Sequence, residues 1–228
     1  MVLRFADRQD AGRHLAQELI ARAPWLGDDD VVVLGLPRGG VPVAAVVAHA
    51  LAAPLDVILV RKLGVPWQPE LAMGAIGEDG IEVLDARVIR LTGVTPDDLR
   101  TVREVETAHL AERRAELRAS HPRLPLEGRT AVVVDDGLAT GSTARAACRV
   151  VRQRGAAGVV LAVPVAASDT TSAFIDADTV VCVKAVTDLG SVGEHYDDFS
   201  PTSERDVLRL LDEAAARTGG GRGRDCDR

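Results

Sequence analysis

The segment AVVVDDGLATGST, residues 131–143, constrains the fold of this chain more than any other. A short continuous apolar run bounded by turn residues reads as a strand buried on both faces. It ends at Asp135 and Asp136. Gly137, Leu138, Ala139, Thr140, Gly141, Ser142 and Thr143 then lead into a helical stretch over residues 142–154. The two glycines let the backbone turn and approach a ligand closely. A helix N-terminus carries free N–H groups and the positive end of a dipole, which together make a phosphate site. The dipole contributes only about 0.3–1 kcal/mol when exposed and up to about 2 kcal/mol when partly buried. Loop N–H groups and the hydroxyls of Thr140, Ser142 and Thr143 therefore have to supply most of the affinity. Two carboxylates beside a phosphate are repulsive unless they face something else. A polyol, whose hydroxyls donate to carboxylates, suits them, and so does a bound Mg2+. A helix-capping turn with two surface acids is the plainer alternative, but it does not need two glycines and three hydroxyl residues. The dinucleotide pattern G-x-G-x-x-G and the phosphate-loop Gly-Lys-Ser/Thr are both absent here.

The rest of the chain alternates. Residues 31–35 read as a buried strand, followed by the turn LPRGG at 36–40 and a helix over 41–52 with Pro42 in its first turn. Residues 56–60 read as a second strand ending at Arg61 and Lys62. Residues 63–80, rich in Gly and Pro, read as a loop, with a short strand at 72–76 pairing with 81–84 around Glu78-Asp79-Gly80. Thr95 and Pro96 open a long helix reaching about Ser120, whose many Glu and Arg residues read mostly as a solvated face. Residues 130–135, 159–163 and 179–183 give three more strands, and 206–217 a last helix. At the N-terminus a helix capped by Asp10 presents Ala11, Leu15, Leu19 and Ile20 and stops at Pro24. This alternation implies an α/β fold with a parallel sheet and helices on both faces. Ligands bind such sheets outside the carboxyl ends of the strands, so loops 36–40, 61–76 and 136–142 are expected on one face.

Composition sets the outer limits. The chain has 228 residues and is 46% hydrophobic, enough for one buried core, assigned to residues 1–217. Aromatics are 3%, so Val, Leu, Ile and Ala build that core, as suits doubly buried parallel strands. The tail 218–228 has no apolar periodicity and is expected to be disordered. A net charge of -7 disfavours non-specific nucleic-acid binding. Cys148, Cys182 and Cys226 show neither metal-ligand spacing nor a disulfide framework, and read as two small hydrophobes and a tail thiol. No stretch has the length and apolarity of a membrane span, and a cytoplasmic location is expected.

The 131–143 segment resembles the phosphoribosyl-pyrophosphate-binding motif of type I phosphoribosyltransferases. That resemblance implies that Asp135 and Asp136 contact the ribose 2- and 3-hydroxyls and hold Mg2+ directly or through water, and that Gly137 to Thr143 wrap the 5-phosphate. The segment LGLPRGGVPVA, residues 34–44, is similar to the family's pyrophosphate loop. By that likeness Arg38 binds pyrophosphate, Gly39 and Gly40 lend N–H donors, and the peptide bond before Arg38 is a candidate cis bond, although Pro37 departs from members with another residue there. Residues 60–76 occupy the place of a substrate-covering loop, with Lys62 favoured over Arg61 to reach the pyrophosphate and Trp67 either stacking on a ring or packing the loop. The chain also resembles bacterial phosphoribosyltransferase-like proteins that carry LPRGG and a GxxYxDF-like segment, here VGEHYDDF at 192–199. Terminal segments 1–30 and 185–217 are candidates for the hood that holds the acceptor, and His195 and Tyr196 either face that acceptor or pack locally. The resemblance implies transfer of a phosphoribosyl group to a nitrogenous acceptor, with a homodimer consistent with it. A non-catalytic sensor of phosphoribosyl pyrophosphate is the alternative. A pyrophosphokinase fits less well, because that enzyme is typically two such domains in tandem.

Overall fold

The computed structural model describes residues 4–27 and 30–219. The expected tail falls largely outside them. Five strands form a parallel sheet: β1 (Val31–Gly35), β2 (Leu55–Val57), β6 (Thr130–Val134), β7 (Gly158–Ala167) and β8 (Thr179–Val186), in the order β2-β1-β6-β7-β8. The remaining strands, β3 (Val60–Val65), β4 (Gln68–Gly77) and β5 (Glu82–Leu84), make a separate antiparallel sheet. Helices α1 (Arg8–Arg22), α2 (Gly40–Ala50) and α7 (Glu204–Gly219) cover one face of the parallel sheet, and α5 (Ser142–Gln153) covers the other.

The period of two in the strands explains this layering. Val33, Val132, Val134, Val160 and Ala162 point toward Leu15, Val43 and Val207 of the first helical layer. Val32, Ala131, Val133, Val159 and Leu161 point toward Ala144, Ala147, Cys148 and Val151 of α5. Both faces are apolar, so the strands read as continuous hydrophobic runs.

Several boundaries differ from the sequence expectation. The run 56–60 is not one strand. Parallel pairing with β1 stops at Gly35↔Val57, and after Ile58 and Leu59 the chain enters β3, where Val60 pairs with Gly77. The segment 63–80 is not a loop, because its punctuation marks irregularities within a hairpin. Pro66 and Trp67 form the turn, and Gly64 sits at a register shift where a Cβ would lie 2.5 Å from the Pro69 carbonyl oxygen. The 81–84 pairing exists as β4–β5 around a 3-10 turn at Glu78–Gly80. Helix α1 is capped by Asp7, which accepts from the Asp10 N–H, so Asp10 lies in the first turn. Ile20, expected on its apolar face, is half-exposed. Two short helices, α3 (Ala86–Thr92) and α6 (Ser168–Ser172), have no counterpart in the sequence reading.

Helix α4 (Pro96–Arg118) starts as expected, with Thr95 and Asp98 in a reciprocal capping box. Its charges are not all solvated. Arg118 is buried against Asp56 and Glu78, with contacts of 2.7 and 2.8 Å. Arg61 pairs with Glu106 and Arg103 with Glu82, so α4 is joined by charge to the β3–β5 sheet and to the turn within it.

Candidate active site

The acid pair and the LPRGG turn meet at the carboxyl edge of the parallel sheet. The Leu36 N–H donates to the Val134 carbonyl, which hangs the turn on the end of β6. A Cβ on Gly40 would lie 2.6 Å from the Val134 oxygen and 2.8 Å from the Asp135 Cα, both backbone atoms. A Cβ on Gly39 would collide with Asp136 Oδ2. The close backbone approach requires glycine at position 40, and a side chain at position 39 would displace the Asp136 carboxylate. The Pro37–Arg38 bond is cis, as the family resemblance implies. One role needs correcting: the Gly40 N–H donates to the Leu36 carbonyl, which removes it as a ligand donor. Arg38 is exposed and lines an open cleft of about 510 Å³ with His109, Glu112, Arg113, Glu116 and Glu204.

The loop from Asp136 to Thr143 is pinned at its middle. The Leu138 N–H donates to the Val165 carbonyl and its carbonyl accepts from the Ala167 N–H, so Leu138 is an anchor, buried and not a phosphate donor. The Thr170 hydroxyl donates to the Ala139 carbonyl at 2.8 Å. Among the described residues, the N–H groups of Ala139, Thr140, Gly141 and Thr143 have no acceptor within the protein. The Thr140 and Ser142 hydroxyls lie 2.8 Å apart at the N-terminus of α5. Gly141 has φ +72°, a left-handed conformation that side chains strain. This is a cluster of unsatisfied donors at a helix start, built to meet an anion.

Lys62 lies on β3 and pairs with Glu70 at 3.2 Å. Glu70 shares a cavity with Thr140 and Ser142, so this hairpin flanks the loop. Arg61 is held by Glu106 at 2.6 Å, with Nη2 3.4 Å from His109 Nδ1. Trp67 is exposed at the hairpin turn.

The carboxylates differ in environment. Burial, and after it the neighbouring Asp136 charge, holds the Asp135 carboxyl well above the usual carboxylate range. Burial also raises Asp136, against the opposing pull of Arg8. Arg8 is a site residue that the sequence reading does not single out. It lies 128 positions from Asp136, yet its Nε and Nη2 both reach Asp136 Oδ2 at 2.9 Å. One signal points to it, since a cation in the first turn of a helix opposes the dipole and needs another reason to be there.

The two terminal segments pack together beside the acids. Phe5 pairs with Tyr196 in an isolated bridge, and the Asp197 N–H donates to the Phe5 carbonyl. Tyr196 is buried and donates its hydroxyl to the Asp136 carbonyl at 2.6 Å. Burial, with Asp136 nearby, pushes its phenol above the ordinary range. His195 packs locally, with Nε2 near the Leu189 carbonyl and Nδ1 near Lys184 Nζ. Among the described residues no helix is long and apolar enough to cross a membrane.

Residues 2–198 match the phosphoribosyl transferase domain family. A Mycobacterium tuberculosis H37Rv protein named "Putative phosphoribosyl transferase Rv0571c" is 51% identical over 211 residues, covering 92% of this chain and 47% of the relative. Its counterpart in strain CDC 1551 matches equally. The chain thus spans about half the length of these curated relatives. The crystal structure of TT1426 from Thermus thermophilus superposes with a TM-score of 0.84 at 42% identity, covering 92% of this chain and 98% of that one. A parallel five-strand core with its acid pair and donor loop at the carboxyl edge, together with a family match across most of its length, shows that this chain belongs to the phosphoribosyl transferase domain family.

Proposed function

We propose that this chain transfers the 5-phosphoribosyl group of phosphoribosyl pyrophosphate to a nitrogenous acceptor, a nucleobase or related heterocycle, and releases pyrophosphate. The observation that carries this reading is the convergence of three elements: the partly buried acids Asp135 and Asp136, the glycines packed on them, and the unsatisfied N–H donors of Ala139, Thr140, Gly141 and Thr143. The loop N–H groups and the Thr140, Ser142 and Thr143 hydroxyls receive the 5-phosphate. Asp135 and Asp136 accept from the ribose hydroxyls. Arg38, the Gly39 N–H and Lys62 meet the pyrophosphate.

The residues fit Mg2+. This ion takes one or two carboxylates and completes its shell with water and substrate phosphates. Asp135 and Asp136 are adjacent carboxyl groups at the carboxyl edge of the sheet, and after burial the Asp136 charge is what raises Asp135, a repulsion that a cation would relieve. When bound, the ion supplies charge neutralisation for the departing pyrophosphate. The protein's part is electrostatic. The acceptor nitrogen attacks the anomeric carbon as the bond to pyrophosphate breaks. The carboxylates stabilise positive character on the ribose, and Arg38 stabilises the leaving oxygen. No side-chain nucleophile takes part.

Pyrophosphate release from phosphoribosyl pyrophosphate and Mg2+, measured over a panel of nucleobases, tests this. Release that requires one base and disappears in the double variant Asp135→Asn/Asp136→Asn is expected. Tight binding with no release on any acceptor would favour a sensor instead.

A further inference from the structure

The way Asp136 is held carries an inference that rests on the function proposed above and extends it. Arg8 places Nε and Nη2 on Asp136 Oδ2 and gives Nη1 to the Ser200 carbonyl at 2.8 Å. Its guanidinium lies 3.9 Å from the centroid of the Phe199 ring, and that ring lies 5.0 Å from Tyr196. Tyr196 holds the Asp136 main chain through its carbonyl. Arg8 and Asp136 are mostly buried, with side chains 11% and 16% exposed. One acid of the pair is thus gripped from the N-terminal segment and from residues 196–200 together. Asp135 has no ion pair among the described residues.

We propose that Arg8 is a positioning residue. It fixes the Asp136 carboxylate by Oδ2 against Gly39, so that the other oxygen, Oδ1, is the one presented to a ribose hydroxyl. Both 2.9 Å guanidinium contacts fall on Oδ2. A planar fork stacked on an aromatic ring sets direction as well as charge, which a lysine ammonium does only in part. Without that fork the Asp136 side chain is free to leave its rotamer, driven by the adjacent Asp135. The consequence is ligand-selective: ribose recognition depends on Arg8, whereas pyrophosphate recognition at Arg38 and Gly39 does not.

The test is calorimetric titration of Arg8→Met, Arg8→Lys and Phe199→Leu with ribose 5-phosphate, phosphoribosyl pyrophosphate and inorganic pyrophosphate. Arg8→Met is expected to weaken both ribose ligands at least ~10-fold and pyrophosphate less than ~3-fold, the first being a loss of about 1.4 kcal/mol or more. Arg8→Lys should recover part of the loss, and Phe199→Leu should show the same selectivity more weakly. Unchanged ribose binding in Arg8→Met, or equal losses for all three ligands, would overturn the inference. If Arg8→Met fails to fold, the same pattern in the other two variants decides it: equal losses there overturn the inference as well. A wild-type protein that binds neither ribose ligand would overturn the functional reading itself, and this inference with it.

Discussion

Arg118→Met removes the cation from a buried triad and should be among the most destabilising single changes in the molecule. The arginine is 9% exposed, and its partners Asp56 and Glu78 are 3% and 2% exposed. Its guanidinium donates to Asp56 Oδ1 at 2.7 Å, to both Glu78 oxygens at 2.8 and 2.9 Å, and to the Val57 carbonyl at 3.0 Å. Methionine fills much of the volume but leaves Asp56 without its ion pair and Glu78 with only the longer 3.9 Å contact to Arg123. Breaking a buried pair from one side costs about 3–5 kcal/mol, because the stranded charge dominates the loss. At about 2–4 °C per kcal/mol for a chain of this size, the melting temperature should fall by about 6–20 °C. Equilibrium denaturation at pH 7 reads the free energy directly. Adding Glu78→Gln to Arg118→Met should recover more than about 1 kcal/mol by removing one stranded charge. A single variant within about 1 kcal/mol of wild type, or a double variant less stable than the single one, would refute this reasoning.

Gly40→Ala places a methyl against the backbone of Val134 and Asp135, so it should cost about 1–3 kcal/mol by overpacking and weaken phosphoribosyl pyrophosphate binding by calorimetry. Thr95→Ala breaks the α4 capping box and should cost about 1 kcal/mol in denaturation while leaving ligand affinity unchanged. Burial pushes the Cys148 thiol up to about 12, from an ordinary value of 9.0. The folded state therefore keeps its proton where the unfolded state has lost it, so this stabilisation is full below about pH 9 and falls as pH rises toward about 12. Relative to Cys148→Ala, wild-type stability should drop by about 1.4 kcal/mol per pH unit between about pH 9 and 11, and parallel curves would contradict this.

The parts legible in the sequence are those whose physics is local. The apolar runs within residues 31–35 and 130–135 declare buried strands, the second ending one residue earlier than expected at Val134, Thr95-Pro96 declares a helix start, and the glycines at 39, 40 and 141 mark close approach or a left-handed turn. The β3–β4 hairpin is hidden because Gly64, Pro66 and Pro69 look like loop punctuation, while their effect on a bulge and a turn depends on the paired strand. Arg118 looks like one of many surface charges on α4, and only the fold brings Asp56 and Glu78 to it. Arg8 escapes a sequence reading for the same reason, its partner Asp136 being supplied by a distant strand end. The functions of Leu138 and of the Gly40 N–H also turn on partners distant in sequence or set by the turn itself, Val165 and Leu36.

If Asp135, Asp136 and the loop to Thr143 form one site for a phosphorylated ribose, binding of that ligand must depend on the acid pair. The most direct measurement is calorimetric titration of phosphoribosyl pyrophosphate with Mg2+ into the wild type and into Asp135→Asn/Asp136→Asn. Saturable one-to-one binding by the wild type and at least a ~100-fold loss in the double variant, about 2.8 kcal/mol, are predicted. No binding by the wild type, or equal affinity for both proteins, would contradict it.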